Sequence, residues 1–153
     1  MSGYDYMKHL AVTWANEAQR LGSDLIKDKV CSASRTRTAL DEHFFLTSIT
    51  MLNRTCSYLA KKSPNQMEVK AAKEFFALSA DAIDVRNKRE HLDEYIDGKD
   101  KKQSQFTVSD EYSTVDLTAT VVDENGYHLG NKATVEELIL ACDTLLRTIK
   151  SPW

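Results

Sequence analysis

Residues that interrupt helices are scarce in this chain: of 153 residues only 5 are glycine and 2 are proline. That scarcity disfavours a turn-rich all-β fold and favours long helices. Long apolar runs are missing as well. None approaches the ~20 residues that a bilayer-spanning helix needs, and the start of the chain carries Asp5, Lys8 and His9 instead of the apolar stretch of a secretory leader. The expectation is a cytoplasmic chain with no membrane partner. Cys31, Cys56 and Cys142 are odd in number and far apart, with neither CxxC nor Cys/His spacing, which argues against a disulfide framework or a zinc site. Cys56 and Cys142 fall on apolar stripes and read as small buried hydrophobes. His9, His43 and His128 offer no pair at metal-ligand spacing, and no phosphate loop, nucleophile elbow or HExxH is present, so neither metal nor cofactor is expected. Excess positive charge is also lacking. The net charge of -3 argues against sequence-independent binding of nucleic acid over a broad basic face.

What is present is helical periodicity. The length suits one domain, residues 1–153. Met7, Leu10, Trp14, Ala18, Leu21 and Leu25 recur at spacings of three and four and form one stripe. A second helix is predicted from about Thr38 to Lys62, with Phe45, Ile49, Leu52, Cys56 and Leu59 on one side. Ser63 and Gln66 then stand at capping-box spacing with Pro64 at the first helical position, which predicts an immediate third helix. Its stripe runs through Ala71, Phe75, Leu78, Ala82, Val85, Arg89, Leu92 and Ile96, with Gly98 as the stop. From Pro64 to Asp97 such a helix would be roughly 50 Å long. The aromatic residues Trp14, Phe44, Phe45, Phe75 and Phe76 read as core rather than as stacking platforms.

The period changes after a polar stretch, Asp97 to Gln105. Val115, Leu117, Ala119 and Val121 alternate with polar residues, as in a half-buried strand. Asn125-Gly126 signals a tight hairpin, with Tyr127, His128 and Leu129 as the return strand. Thr134 and Glu137 form a second capping box, opening a helix that points Leu138, Ala141, Cys142, Leu145 and Ile149 inward. The fold expected is mainly α: a four-helix up-down bundle with a β-hairpin inserted between helices 3 and 4.

Late in the third helix stand Arg86-Asn87-Lys88-Arg89-Glu90-His91. Five helical steps turn about 140°, so Arg86 and His91 do not share a narrow face, and Asn87 and Glu90 lie between them in angle. Phe76 and Ile83 occupy that same sector further back. This second apolar face implies another packing partner, either the last helix or a second subunit. In a plain reading, Arg86 and Glu90 form an ordinary ion pair one turn apart, and His91 is a surface histidine favoured by the helix dipole. Arg86, Lys88, Arg89, Lys99, Lys101 and Lys102 cluster in sequence and could line a local basic cleft.

An arginine, a polar residue and a histidine at this spacing resemble the R-x4–6-H motif of HEPN domains, found in bacterial toxin–antitoxin, phage-defence and CRISPR-associated ribonucleases. The string from Arg86 to Glu94 is similar to HEPN-like bacterial proteins, as are the hairpin into Leu129-Gly130 and the Glu136 to Leu138 helix start. The resemblance runs from the third helix to the C-terminus; the first two helices match in pattern only. It implies an endoribonuclease that needs no metal, a toxin or defence effector, cutting RNA by attack of the 2′-hydroxyl at a site shared across a homodimer. Arg86, His91 and Asn87 would be catalytic. Histidine supplies a proton-transfer group near neutrality, and arginine a fixed bidentate cation for the crowded phosphate. Glu90, Lys88, Arg89 and Tyr95 would bind or orient substrate, and Phe76 and Ile83 would form the dimer face. The implied partners are RNA, a second copy, and an antitoxin or defence-complex protein. Family toxins modified on tyrosine carry it two residues after the histidine; Asp93 stands there in this chain, and Tyr95 is the nearest candidate. The other reading is a non-catalytic HEPN-like dimerisation or interaction module.

Overall fold

Phe45, Ile49, Leu52, Cys56 and Leu59 are all buried along one side of a single long helix, and that helix is the axis of the molecule. The computed structural model describes residues 2–28, 35–91, 107–109, 114–116, 119–130 and 132–150. Within these the chain is mainly helical. The elements are α1 (Gly3–Asp28), α2 (Arg35–Lys62), α3 (Gln66–Leu78), α4 (Ala80–Glu90), β1 (Thr107–Ser109), β2 (Thr114–Asp116), β3 (Thr120–Asp123), β4 (Gly126–Leu129), β5 (Ala133–Thr134) and α5 (Val135–Thr148). Among the described residues no helix is long and apolar enough to cross a membrane.

α1 and α2 run antiparallel. Tyr4 near the start of α1 reaches Ser63 just past the end of α2, while Gly22 late in α1 sits against Phe45 early in α2. α5 packs on both α1 and α3. On α1 the innermost residues are Ala11, Ala15, Ala18, Leu21 and Leu25, whereas the expected Met7, Leu10 and Trp14 are half-buried. Small alanines let the two helices approach closely, and the larger side chains flank the contact. Phe44, expected in the core, is exposed, because Phe45 one step round the helix takes the inward position.

The third predicted helix is two helices. Its expected Ser63 cap is replaced by Asn65, whose side-chain oxygen accepts the Met67 N–H at 2.9 Å, so α3 starts at Gln66 and Pro64 lies outside it. The break falls at Ser79, which is fully buried. Asn53 on α2 donates from Nδ2 to the Phe76 carbonyl at 3.2 Å and to Ser79 Oγ at 2.9 Å. Ser79 Oγ in turn donates to the Phe75 carbonyl at 2.7 Å. Side chains inserted into the backbone ladder are a standard cause of helix breaks. α4 ends at Glu90, with His91 as its C-cap. Leu92, Tyr95, Ile96, Gly98, Cys31 and the polar stretch 97–105 lie outside the described residues.

β1 and β2 form a two-stranded antiparallel pair, and β3, β4 and β5 a three-stranded antiparallel sheet. The predicted alternating strand therefore contributes to two strands, β2 and β3, with Leu117 outside the described residues. The hairpin turns at Glu124-Asn125, placing Asp123 opposite Gly126. Asp123 accepts the Asn125 and Gly126 N–H groups and contacts His128 at 3.1 Å. These hydrogen bonds, that to the Asn125 backbone first, hold its carboxyl below the usual carboxylate range. Gly126 has φ +140°, and a Cβ there would meet the Glu136 carboxylate at 3.0 Å. Glu136 uses that carboxylate to accept the Tyr127 N–H, tying the sheet to the first turn of α5. Thr134 caps α5 by accepting the Glu137 N–H.

Candidate functional site

The last turn of α4 separates into an inward and an outward set. Val85 and Lys88 are buried, and Arg89 points toward α2, while Asn87, Glu90 and His91 are on the outward side. There the Arg86 guanidinium forms an ion pair with Glu90 and donates to Asn87 Oδ1 at 3.3 Å. Its Nε is shielded from solvent and has no hydrogen-bond partner. His91 closes the helix: its backbone N–H donates to the Asn87 carbonyl at 3.1 Å, and its φ of -107° and ψ of 40° leave the helical region. Arg86, Asn87 and Glu90 are therefore in contact on one end of α4, and the exposed His91 follows as its C-cap. Lys88 and Arg89 do not join them, because the helix period turns both inward. Tyr95 lies outside the described residues.

Arg89 has a different role from the rest of its string. It donates from Nη1 to Glu42 Oε2 at 2.7 Å and from Nη2 to Thr120 Oγ1 at 3.1 Å. Thr120 Oγ1 donates to the same carboxylate, and so does the Tyr127 hydroxyl at 2.5 Å. Burial first, then the Glu42 carboxylate, raises the Tyr127 pKa, so this hydroxyl stays protonated and donating. The network fixes the end of α4 against α2 and the sheet, and so sets the direction in which Arg86 and His91 leave the surface. Sequence reasoning missed Glu42. Its signal was a carboxylate three residues before Phe45, in register with the buried stripe, opposite an arginine in register with another.

Phe76 is exposed and Ile83 half-buried, and the break at Ser79 falls between them. Leu78 and Leu140 are also exposed, on either side of an apolar groove of about 280 Å³ between α3 and α5. Burial pushes the Cys56 and Cys142 thiols up to about 12, which makes them poor nucleophiles. Among the described residues no group of three or more His, Cys, Asp or Glu could hold a metal ion. No family model, curated protein or solved structure matches the chain.

Proposed function

We propose that the chain is a HEPN-type endoribonuclease, a toxin or phage-defence effector that works as a cytoplasmic homodimer and cleaves RNA without a metal. In this reading α3 and α4 together are the bent third helix of an up-down four-helix bundle, α5 is the fourth, and the β3–β4 hairpin is the insertion between them. The observation that carries it is the Arg86 guanidinium held by Glu90 and Asn87 at the end of α4, with the exposed His91 closing the same helix. The 2′-oxygen forms a bond to phosphorus as the bond to the 5′-oxygen breaks, leaving a cyclic phosphate and a 5′-hydroxyl. His91 takes the 2′-hydroxyl proton or returns one to the leaving oxygen. Arg86 binds the phosphate. Its partly exposed pair with Glu90 is weak enough for a phosphate to displace. One chain supplies one histidine here, so base and acid come from two copies, brought together through the face bearing Phe76 and Ile83.

The test is cleavage of a single-stranded oligoribonucleotide in EDTA. His91→Ala and Arg86→Ala each abolish cutting, a 2′-deoxy substitution at the scissile position blocks it, and the product carries a cyclic phosphate. If the site is shared, mixing the parent with an excess of His91→Ala chain lowers its activity further than dilution does, because each mixed dimer has lost one of the two histidines. Equal cutting by His91→Ala, or cutting only with added divalent metal, overturns the reading.

A second reading is a non-catalytic HEPN-like interaction module in a defence or toxin–antitoxin system. It is favoured by the pairing of Arg86 with Glu90 in place of an open cation, and by the net charge of -3. A stable dimer that leaves all RNA intact selects it.

A further inference from the structure

α3 and α5 pack side by side, yet each places an alanine, Ala71 and Ala141, along their seam, and a groove of about 280 Å³ is left there. Buried Phe75 and Leu145 line its floor, and its walls carry Leu78 and Leu140, which are 49% and 64% exposed. By helical period Met67, also exposed, continues the α3 wall one turn before Ala71. Thr144 adds no free donor, since its hydroxyl is bonded to the Leu140 carbonyl at 2.9 Å. Phe76 stands two helical steps from Leu78, about 160° away round α3, so this groove is separate from the face of Phe76 and Ile83. Exposed apolar side chains gathered along one groove mark a binding surface.

We propose that this groove docks a basic amphipathic helix of a protein partner, about three turns long. The charges select that occupant. The lining carries two carboxylates, Glu74 on α3 and Glu137 on α5, and no cation. Glu137 has no ion-pair partner among the described residues, and Lys70 reaches Glu74 only at 3.8 Å with both side chains exposed. Arg147, further along α5, is already held by Asp143 at 2.6 Å. A stripe of leucines at helical spacing fills the hollow over the alanines, and lysines or arginines beside the stripe meet the two carboxylates. From Met67 to Leu78 the α3 wall runs about 16 Å, which matches three turns of the incoming helix. The volume falls below the usual range of small-molecule sites and suits a few anchoring side chains. The same charges oppose a second copy, because a two-fold contact through this face sets Glu74 and Glu137 against their own equivalents. The groove uses neither Arg86 nor His91 and is independent of the cleavage reading.

The experiment titrates a fluorescein-labelled peptide of about 14 residues, long enough to form a helix on binding, with the full chain. The peptide carries leucines along one helical stripe and lysines on either side of it. One control peptide has glutamate in place of every lysine, and another has the same composition in an order that breaks the stripe. Fluorescence anisotropy and amide NMR shifts follow the binding. The lysine peptide binds saturably, weakens as salt rises, and shifts the amides of Leu78, Leu140 and Thr144, while both controls bind about tenfold more weakly. Leu140→Gln weakens the lysine peptide about tenfold, as loss of a central apolar anchor does. Glu74→Gln combined with Glu137→Gln weakens it about fivefold at low salt and removes most of the salt dependence. These side chains are exposed, so the groove variants keep the parent's unfolding temperature, and Arg86→Ala keeps the parent's affinity. Absence of binding by the lysine peptide, equal binding of the glutamate peptide, or parent affinity in Leu140→Gln overturns the proposal. A dimer that Leu140→Gln converts to monomer in sedimentation overturns it too, since a second copy would then fill the groove.

Discussion

Arg89 on α4 and Glu42 on α2 meet at 2.7 Å inside the molecule, although 47 residues separate them in sequence. Glu42 is buried, and Thr120 and Tyr127 donate to it as well, so one carboxylate joins α2, α4, β3 and β4. A buried carboxylate stripped of its cation is more harmful than the absence of the pair. Arg89→Met should therefore lower unfolding free energy by about 2–3 kcal/mol, toward the low end of buried-pair losses because Arg89 keeps some solvent contact. Adding Glu42→Gln to Arg89→Met should recover part of the loss. Urea unfolding of the two single variants and the double variant measures the coupling, and strictly additive losses would contradict a shared network.

Gly22 is required by proximity. A Cβ there would lie 2.8 Å from both Phe45 Cε2 and Ile139 Cδ1, closer than real contacts allow. Phe45 is fully buried and has no room to withdraw. Helix propensity alone would make alanine better than glycine here. The expected result is the reverse: Gly22→Ala destabilises by about 1–3 kcal/mol through overpacking. Thermal unfolding reads the sign directly.

Asn53 holds the α3–α4 break open. Its amide satisfies the Phe76 carbonyl and contacts Ser79 Oγ in a buried setting. Asn53→Leu keeps much of the volume and removes the donor to both the Phe76 carbonyl and Ser79 Oγ, for an expected loss of about 1–3 kcal/mol. Asn53→Leu combined with Ser79→Ala should be milder than the sum of the two, because the second substitution removes the hydroxyl oxygen that the first leaves without its donor. Hydrogen exchange at Ala80, whose amide follows the break, should slow in the double variant as the ladder closes, while Ile83, already bonded to the Ser79 carbonyl at 3.2 Å, should change little.

These residues also mark where sequence reading succeeds and stops. The α2 stripe was legible because five inward residues recur at helical period without interruption. The hairpin was legible from Asn125-Gly126 because turn chemistry is local, although its turn falls one residue earlier, at Glu124-Asn125, and Thr134 with Glu137 was legible for the same reason. The Ser79 break was not, since its cause is an asparagine on another helix, and the apolar stripe passes through it unchanged. Arg89 falls on the inward stripe in sequence and in structure, but its partner Glu42 is fixed only by the tertiary packing of α2. At the candidate site the Arg86–Glu90 pair follows from spacing within one turn. The inward turn of Lys88 follows from the same period, against the clustering of like charges in its string.

Glu68 gives the molecule its expected acid sensitivity. It is buried at the opposite end of α2 from Glu42, where it accepts from Ser63 Oγ at 2.8 Å and from the Tyr4 hydroxyl, and pairs with Lys8 Nζ at 2.8 Å. Burial alone would raise its pKa, but Lys8, Tyr4 and Ser63 together hold it below the ordinary value of 4.5. A carboxyl depressed in the folded state contributes stability above its unfolded pKa, and that contribution is lost as pH falls through the folded value. Lys8 is shifted the other way: hydrogen bonding to Glu68 raises it above 10.5, so its share is present below that value and lost as pH rises through the folded pKa. The cluster should stabilise the fold fully between these two limits. Glu68→Gln should lower the unfolding temperature at neutral pH and flatten its decline in the acid range, where the parent loses the carboxylate's contribution. If parent and Glu68→Gln lost stability in parallel below pH 4.5, the acid response would have to come from other carboxylates.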